Sequence, residues 1–429
     1  MKVGGSMEPV RRLLARRPAL HRPSLGPVRR VLARRPVVIG AAVVIVVALV
    51  GSSVAIVSLS ASSAMPTPAP TEIALATPTL APTLAPTPTL APTLAPTPVP
   101  TPTPAPMVAA TTNGVWLPAD QAELATRKPI AVMIDDQMAA RPQSGLSMAN
   151  IVYQGPAEGG IPRYMAIFQT QAPQAIGPIR SSRLYFVAWA EEYAAGYVHM
   201  WGAPNAMGRL ATDTGKYIFN MDGLRYGGMS GYMWRTSFRV APHNLYSSYN
   251  RLYALLQKIG GKAPMAKSNF TFADALPGSG RLVGSQIIVP YAENHVVYNY
   301  DWKTNTYPRT VTREGAQFDA VTDQRIAPSN VILMFMNVGM LQGSAAAMTK
   351  HRLDVQYIGH GSAMIFNNGL ATPAVWTKKN EHAITILTYA TGPMKGQQVP
   401  LVRGQIFIQV VPTYVPATWT AGYAPAPES

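Results

Sequence analysis

Apolar and polar positions follow two different patterns along this chain. Between residues 113 and 262, short apolar runs bounded by Gly and Pro read as strands: Ile130–Ile134, Ile151–Gln154, Tyr164–Gln169 and Tyr197–Trp201. Ser181–Tyr193 and Leu245–Ile259 read as helices, the second placing Leu245, Tyr249, Leu252, Leu256 and Ile259 on one face. Gly260–Gly284 reads as a linker. From Gln286 onward the pattern is nearly all strand: Ile287–Val289, Val296–Tyr300, Val331–Phe335, Val355–Ile358, Ala363–Phe366, Ile384–Thr388 and Ile406–Val411. Asn367, Asn368 and Gly369, between two of these runs, are a tight-turn signal. The expected fold class is α+β, an α/β domain over 113–262 followed by a mostly antiparallel β domain over 285–415, with packing beginning near Trp116.

Upstream the pattern changes twice more. Val37–Leu59 is 23 residues long without a charge. At about 1.5 Å per residue it can cross a hydrocarbon core of roughly 30 Å as a transmembrane helix. Its length also exceeds the roughly 7–15 apolar residues of a cleaved signal-peptide core. Residues 60–112 form a Pro/Thr/Ala-rich tether in which the decamer TLAPTLAPTP stands twice in tandem, at 79–88 and 89–98. Proline at that density favours extended polyproline II and leaves nothing to bury.

Charge settles the direction of the span. Residues 1–36 hold nine arginines and Lys2 against Glu8, a local +9 out of +16 for the whole chain. The basic excess is therefore an arm of 36 residues beside an apolar run, which points to a membrane surface and away from nucleic acid. Arg29, Arg30, Arg34 and Arg35 abut the span, so the arm is expected in the cytoplasm and the folded part outside. There is no cysteine among the 429 residues, which excludes disulfides, thiolate metal sites and cysteine nucleophiles within them.

Five unusual segments occur in order in the first half: RPQSGL (141–146), NIVY (150–153), EGGIPR (158–163), IGPIRSSR (176–183) and APHNLY (241–246). The second half adds VYNYD (297–301), YPR (307–309), SNVI (329–332), GHG (359–361) and VWTK (375–378). Over residues 127–412 the chain closely resembles the YerB-like, or DUF3048, family. That resemblance implies a membrane-attached extracytoplasmic bacterial protein and carries no established enzymatic activity. Three departures stand out. Family members are commonly lipoproteins, an acidic residue usually follows the Ile-Val-Tyr segment where Gln154 stands, and threonine is common at Pro162.

Within the motifs, Arg141, Arg163, Arg180 and Arg183 fall within 43 residues, beside glycines and prolines of the kind that border binding sites. Arg180 and Arg183 at a helix start oppose the helix dipole, which a bound anion held also by Ser181 and Ser182 would relieve. The competing expectation is that these arginines pair with Glu158, Asp135 and Asp136 as structural bridges. Glu158, before Gly159 and Gly160, is the best acid/base candidate, although arginines beside a carboxylate keep it ionised. His199 and His243 could shuttle protons. Neither has a ligand partner at metal-site spacing, so no metal and no cofactor is expected. Asn244 completes the expected ligand set of Arg141, Glu158, Arg163, Arg180, Ser181, Arg183 and His243. Asp301, Arg309, Asp319 and Trp376 read equally as turn or surface residues. Nucleophile-elbow, phosphate-loop and dinucleotide-binding glycine patterns are absent.

These features lead to an anchored extracytoplasmic protein that binds an anionic or glycan envelope ligand through an arginine-rich cleft, with the membrane and a wall polymer as partners. Two alternatives remain open. One is a hydrolase or transferase acting on a wall polymer with Glu158 and a histidine as acid and base. The other is an interaction module of an envelope complex.

Overall fold

Six consecutive buried residues, Ile130–Asp135, form the first long strand, β1. A strand buried on both faces needs no alternation of apolar and polar residues. Its side chains nevertheless separate by parity. Ala131 and Met133 feed one hydrophobic core, while Ile130, Val132 and Ile134 feed a second on the opposite face. A computed structural model describes residues 105–343 and 350–424 of the chain. The expected cytoplasmic arm (1–36), the Val37–Leu59 span and all but the last residues of the tether lie outside the described residues. Among those described, no helix is long and apolar enough to cross a membrane.

The described residues are mostly strand, with few helices. After β1 come β2 (Ile151–Gly155), β3 (Arg163–Phe168), α1 (Leu184–Glu191), β4 (Gly196–His199), α2 (Pro204–Asp213), β5 (Phe219–Asp222) and α3 (Tyr249–Lys258). Then follow β6 (Gln286–Pro290), β7 (His295–Asn299), β8 (Arg309–Val311), β9 (Asn330–Met336), β10 (Gly359–Asn367), β11 (Leu370–Lys378), β12 (Ile386–Tyr389), β13 (Ile406–Pro412) and β14 (Thr418–Thr420). Ten strands make one sheet in the order β12-β11-β10-β9-β13-β2-β3-β1-β4-β5. β6, β7, β8 and β14 belong to a separate five-stranded sheet, with β6 pairing β7 and β14, and β7 pairing β8.

The large sheet runs through both sequence halves. β13, from the second half, pairs in parallel with β2 from the first, Ile406 opposite Ile151. The described residues accordingly form one compact unit. β10 and β11 form a hairpin closed at Asn368 (φ 51°) and Gly369 (φ 78°). Two successive positive φ values are what the tight-turn signal demands.

Three sequence expectations need correction. The helix expected over Ser181–Tyr193 begins only at Leu184. Ser182 instead bridges to Gly202, its N–H donating to the Trp201 carbonyl at 2.9 Å. Arg183 (φ −132°, ψ 153°) is still extended, so Arg180 and Arg183 do not share a helical turn. The helix expected from Leu245 begins at Tyr249, because Leu245 and Tyr246 pair as a short strand with Arg235 and Trp234. Ser248 supplies the cap, its hydroxyl accepting from Arg251 N. The fold also begins ahead of Trp116. Met107–Ala109 pairs antiparallel with Trp116–Pro118, and buried Thr112 donates through its hydroxyl to Gln169 Oε1 at 2.7 Å.

Strand direction places the site. β3 is antiparallel to both of its neighbours, so β1 and β2 run the same way. β4, β5, β13 and β9 run with them through parallel pairs. Their carboxyl ends, at Asp135, Gly155, His199, Asp222, Pro412 and Met336, therefore share one edge of the sheet. Crevices outside the carboxyl ends of parallel strands are where open α/β sheets bind ligands.

Candidate functional site

The segment leaving β2 carries Glu158, and β3 begins at Arg163 on the same edge. Glu158 meets Arg183 in a two-point ion pair, Arg183 Nε 2.5 Å from Oε1 and Nη2 on Oε2. Arg163 Nη2 stands 3.7 Å from Oε2 of the same carboxylate, and its Nη1 donates to the Ser181 carbonyl at 2.8 Å. Burial by itself would raise the Glu158 pKa, but the Arg183 hydrogen bond and the charges of Arg183 and Arg163 leave it below the ordinary value. Burial, with Arg183 nearby, lowers Arg163 to about 10. Glu158 is thus held ionised, which suits an orienting role better than proton donation.

Beside this pair lies a cavity of about 360 Å³, within the size range of small-molecule sites. Glu158, Ser181, Arg183, Trp201, Lys350 and Arg352 line it, with Gly202 and Ala203 completing the wall. Three cations thus face one carboxylate. Among the described residues neither Lys350 nor Arg352 takes part in an ion pair.

The other expected site residues fall into separate groups. Arg180 pairs with Asp135, its Nε 3.0 Å from Oδ2, and His243 Nδ1 reaches the same oxygen at 2.6 Å. Neither lines the cavity. Arg141 lies deeper, with Nη2 2.8 Å from Asp136 Oδ1 and Nη1 2.8 Å from Glu314. Asn244 serves the short hairpin: its Oδ1 accepts from Arg235 and its Nδ2 donates to the Thr236 carbonyl. His199 is wholly buried, with Nδ1 2.9 Å from the Trp201 carbonyl and Nε2 2.9 Å from Asn220 Oδ1. The four arginines therefore divide among four carboxylates, Asp135, Asp136, Glu158 and Glu314, instead of converging on one point.

Behind them is a buried polar network that joins the two sequence halves. Gln154, at the residue position where the resemblance leads one to expect an acid, donates to Asp136 Oδ2 at 2.6 Å and accepts from Arg309 Nη2 at 2.8 Å. Arg309, which read as a turn or surface residue, is fully buried against the Tyr164 and Tyr298 rings. Complete burial raises the Asp136 pKa despite the nearby Arg141 and Arg309 charges. Trp376 and Asp319 are buried too, whereas Asp301 is a turn residue accepting from Lys303 N.

Sequence reasoning missed Trp201, Lys350 and Arg352. Trp201 adjoins the IGPIRSSR segment only in the fold, where its carbonyl accepts from Ser182 N and Ser182 bridges to Gly202. Lys350 and Arg352 have no local signal at all, being distant in sequence from every other lining residue.

Residues 116–262 match the family described as "Protein of unknown function (DUF3048) N-terminal domain", and residues 287–408 match its C-terminal domain. The chain belongs to the DUF3048 family. Among its relatives is a Bacillus subtilis (strain 168) protein titled "Putative lipoprotein YerB". It is 30% identical over 310 residues, which make up 70% of this chain and 86% of that protein. The crystal structure of the YerB protein from Bacillus subtilis aligns with a TM-score of 0.62 at 27% identity, covering 73% of this chain and 99% of that one.

Proposed function

We propose that this chain is a membrane-attached extracytoplasmic protein whose folded part binds an anionic envelope ligand in the cavity beside Glu158 and Arg183. The observation that carries the reading is the cavity's charge, with Arg183, Lys350 and Arg352 facing the single carboxylate of Glu158. Glu158 is already satisfied by two guanidinium groups, so it orients cations more than it repels a ligand. The position of the cavity at the carboxyl ends of the parallel strands supports the same reading. Membrane attachment is supported by the relative's title as a lipoprotein and by the apolar Val37–Leu59 run. In a chain without cysteine, that run would be the anchor. The arm at 1–36 would then be cytoplasmic, and the tether, from residue 60 to the start of the fold near residue 105, would hold the two DUF3048 domains away from the membrane, near wall polymers.

Binding is tested by pull-down of the full chain with purified wall fractions, comparing wild type with the Lys350→Gln/Arg352→Gln double variant. Both side chains lie outside the ion pairs of the core, so the variant should fold and lose retention. Equal retention of the two proteins would remove the cavity from the reading. Orientation is tested by adding protease to intact cells, which should release a soluble fragment cut within the tether.

A second reading, a hydrolase or transferase acting on a wall polymer, rests on the His243–Asp135 contact. That pairing offers an oriented imidazole and replaces Glu158 as the partner of the acid/base histidine. Under it, His243→Ala would abolish cleavage of the wall fraction while retention stays unchanged.

A further inference from the structure

Trp201 lines the cavity in an unusual way. Its φ is +57°, a left-handed conformation that bulky side chains rarely adopt. Three hydrogen bonds hold it there. Its N–H donates to Asp222 Oδ1 at 3.0 Å, and its carbonyl accepts from Ser182 N and from His199 Nδ1, each at 2.9 Å. His199 is itself wholly buried, and Asp222 Oδ1 is further engaged by Leu224 N. This clamped backbone presents an indole that is 56% exposed. Tryptophan side chains are highly buried on average, and strain of this kind collects at ligand sites. Packing gives no reason for holding this ring toward solvent.

We propose that Trp201 is a stacking platform for a sugar ring, and that the cavity takes a pyranose carrying an anionic substituent. This rests on the reading that the cavity binds an anionic ligand, and it adds what that ligand is built on. A pyranose presents an apolar C–H face and a polar rim. The negative face of the indole attracts the C–H groups, while Ser181 and Glu158 stand where rim hydroxyls need partners. A phosphate or carboxylate on the same ring then meets Arg183, Lys350 and Arg352. The volume of about 360 Å³ admits one such unit of a polymer and leaves its neighbours outside. His199 and Asp222 act as positioning residues, fixing the indole through its backbone.

The experiment is calorimetric titration of the full chain in detergent with four probes: inorganic phosphate, N-acetylglucosamine, N-acetylglucosamine 6-phosphate and glucuronate. At least one anionic sugar should bind about tenfold or more tighter than phosphate, because ring and charge are both recognised. Trp201→Ala should remove that preference and leave phosphate affinity unchanged, and Trp201→Phe should keep part of it. Because the side chain is exposed, both variants should melt like wild type. If phosphate binds but the sugars gain nothing over it, or if Trp201→Ala keeps the preference, the platform is refuted and the anion reading stands. If no anionic probe binds at millimolar concentration, both fall together.

Discussion

Arg183 and Glu158, 25 residues apart in sequence, close on each other through two parallel contacts at the edge of the main sheet. Arg180, three residues earlier, turns instead to Asp135. One arginine of the IGPIRSSR segment thus borders the cavity, and the other braces the end of β1.

Removing Arg183 should cost stability, but less than breaking an isolated buried pair. Arg163 stays within 3.7 Å of the Glu158 carboxylate, and both members of the pair keep some solvent contact. Arg183→Ala is expected to destabilise by about 1–3 kcal/mol. In the double variant with Glu158→Gln the loss should be smaller than the sum of the two single losses, because the Arg183–Glu158 contact can be lost only once, although Arg163 then lacks its carboxylate partner. Urea denaturation of the single and double variants measures the coupling; strict additivity would show that the pair contributes nothing.

Gln154→Glu would restore an acid beside Asp136. The new carboxylate would stand where an amide now donates to Asp136 Oδ2 at 2.6 Å, so one of the two must carry a proton. A carboxyl whose folded pKa is raised contributes stability that is present at low pH and lost as pH rises. The variant should therefore be nearer to wild type at pH 5 than at pH 8, with a deficit of a few kcal/mol or more at the higher pH. A deficit independent of pH would mean that the two carboxylates do not share a proton.

Glu191, which does not line the cavity, gives a second pH signal. Burial, with Asp213 adding to it, pushes its carboxyl up to about 7 in spite of the Arg209 hydrogen bond. Its contribution is complete below the ordinary value of 4.5 and disappears as pH rises through about 7. Comparing wild type with Glu191→Gln isolates this group from others. The wild type should lose stability relative to the variant between pH 5 and pH 8. A constant difference across that range would contradict the raised pKa.

A soluble fragment should include the strand ahead of Trp116. Starting at Ala105 retains the Met107–Ala109 pairing and the Thr112–Gln169 hydrogen bond; starting at Asn113 removes both. The shorter fragment should unfold at lower urea and leave the buried Gln169 side chain short of three hydrogen bonds, two from Thr112 and one to Thr111 Oγ1, a cost of roughly 1–3 kcal/mol or more. Equal midpoints would show that the strand is dispensable.

The sequence by itself determined the features that depend on near neighbours. Runs such as Ile130–Ile134 and Ile406–Val411 lie in strands because their apolar side chains can be buried on either face. The turn between β10 and β11 forms because Asn368 and Gly369 tolerate positive φ. The DUF3048 family was legible in the same way, from short ordered segments. The arginine cluster and its carboxylate partners Glu158, Asp135 and Asp136 could be named, but which arginine meets which could not, since pairing depends on which strand lies beside which. Only the tertiary structure set β13 against β2, and with them brought Arg309 onto Gln154. The same long-range register carried Ser182 to Gly202, ending the helix expectation at Ser181 and turning the Trp201 ring outward. Lys350 and Arg352 joined the cavity from the far half of the chain for that reason too. Period and turn chemistry act over a few residues, whereas strand order and register act across the whole sheet, and the candidate site is assembled almost entirely from the second kind of information.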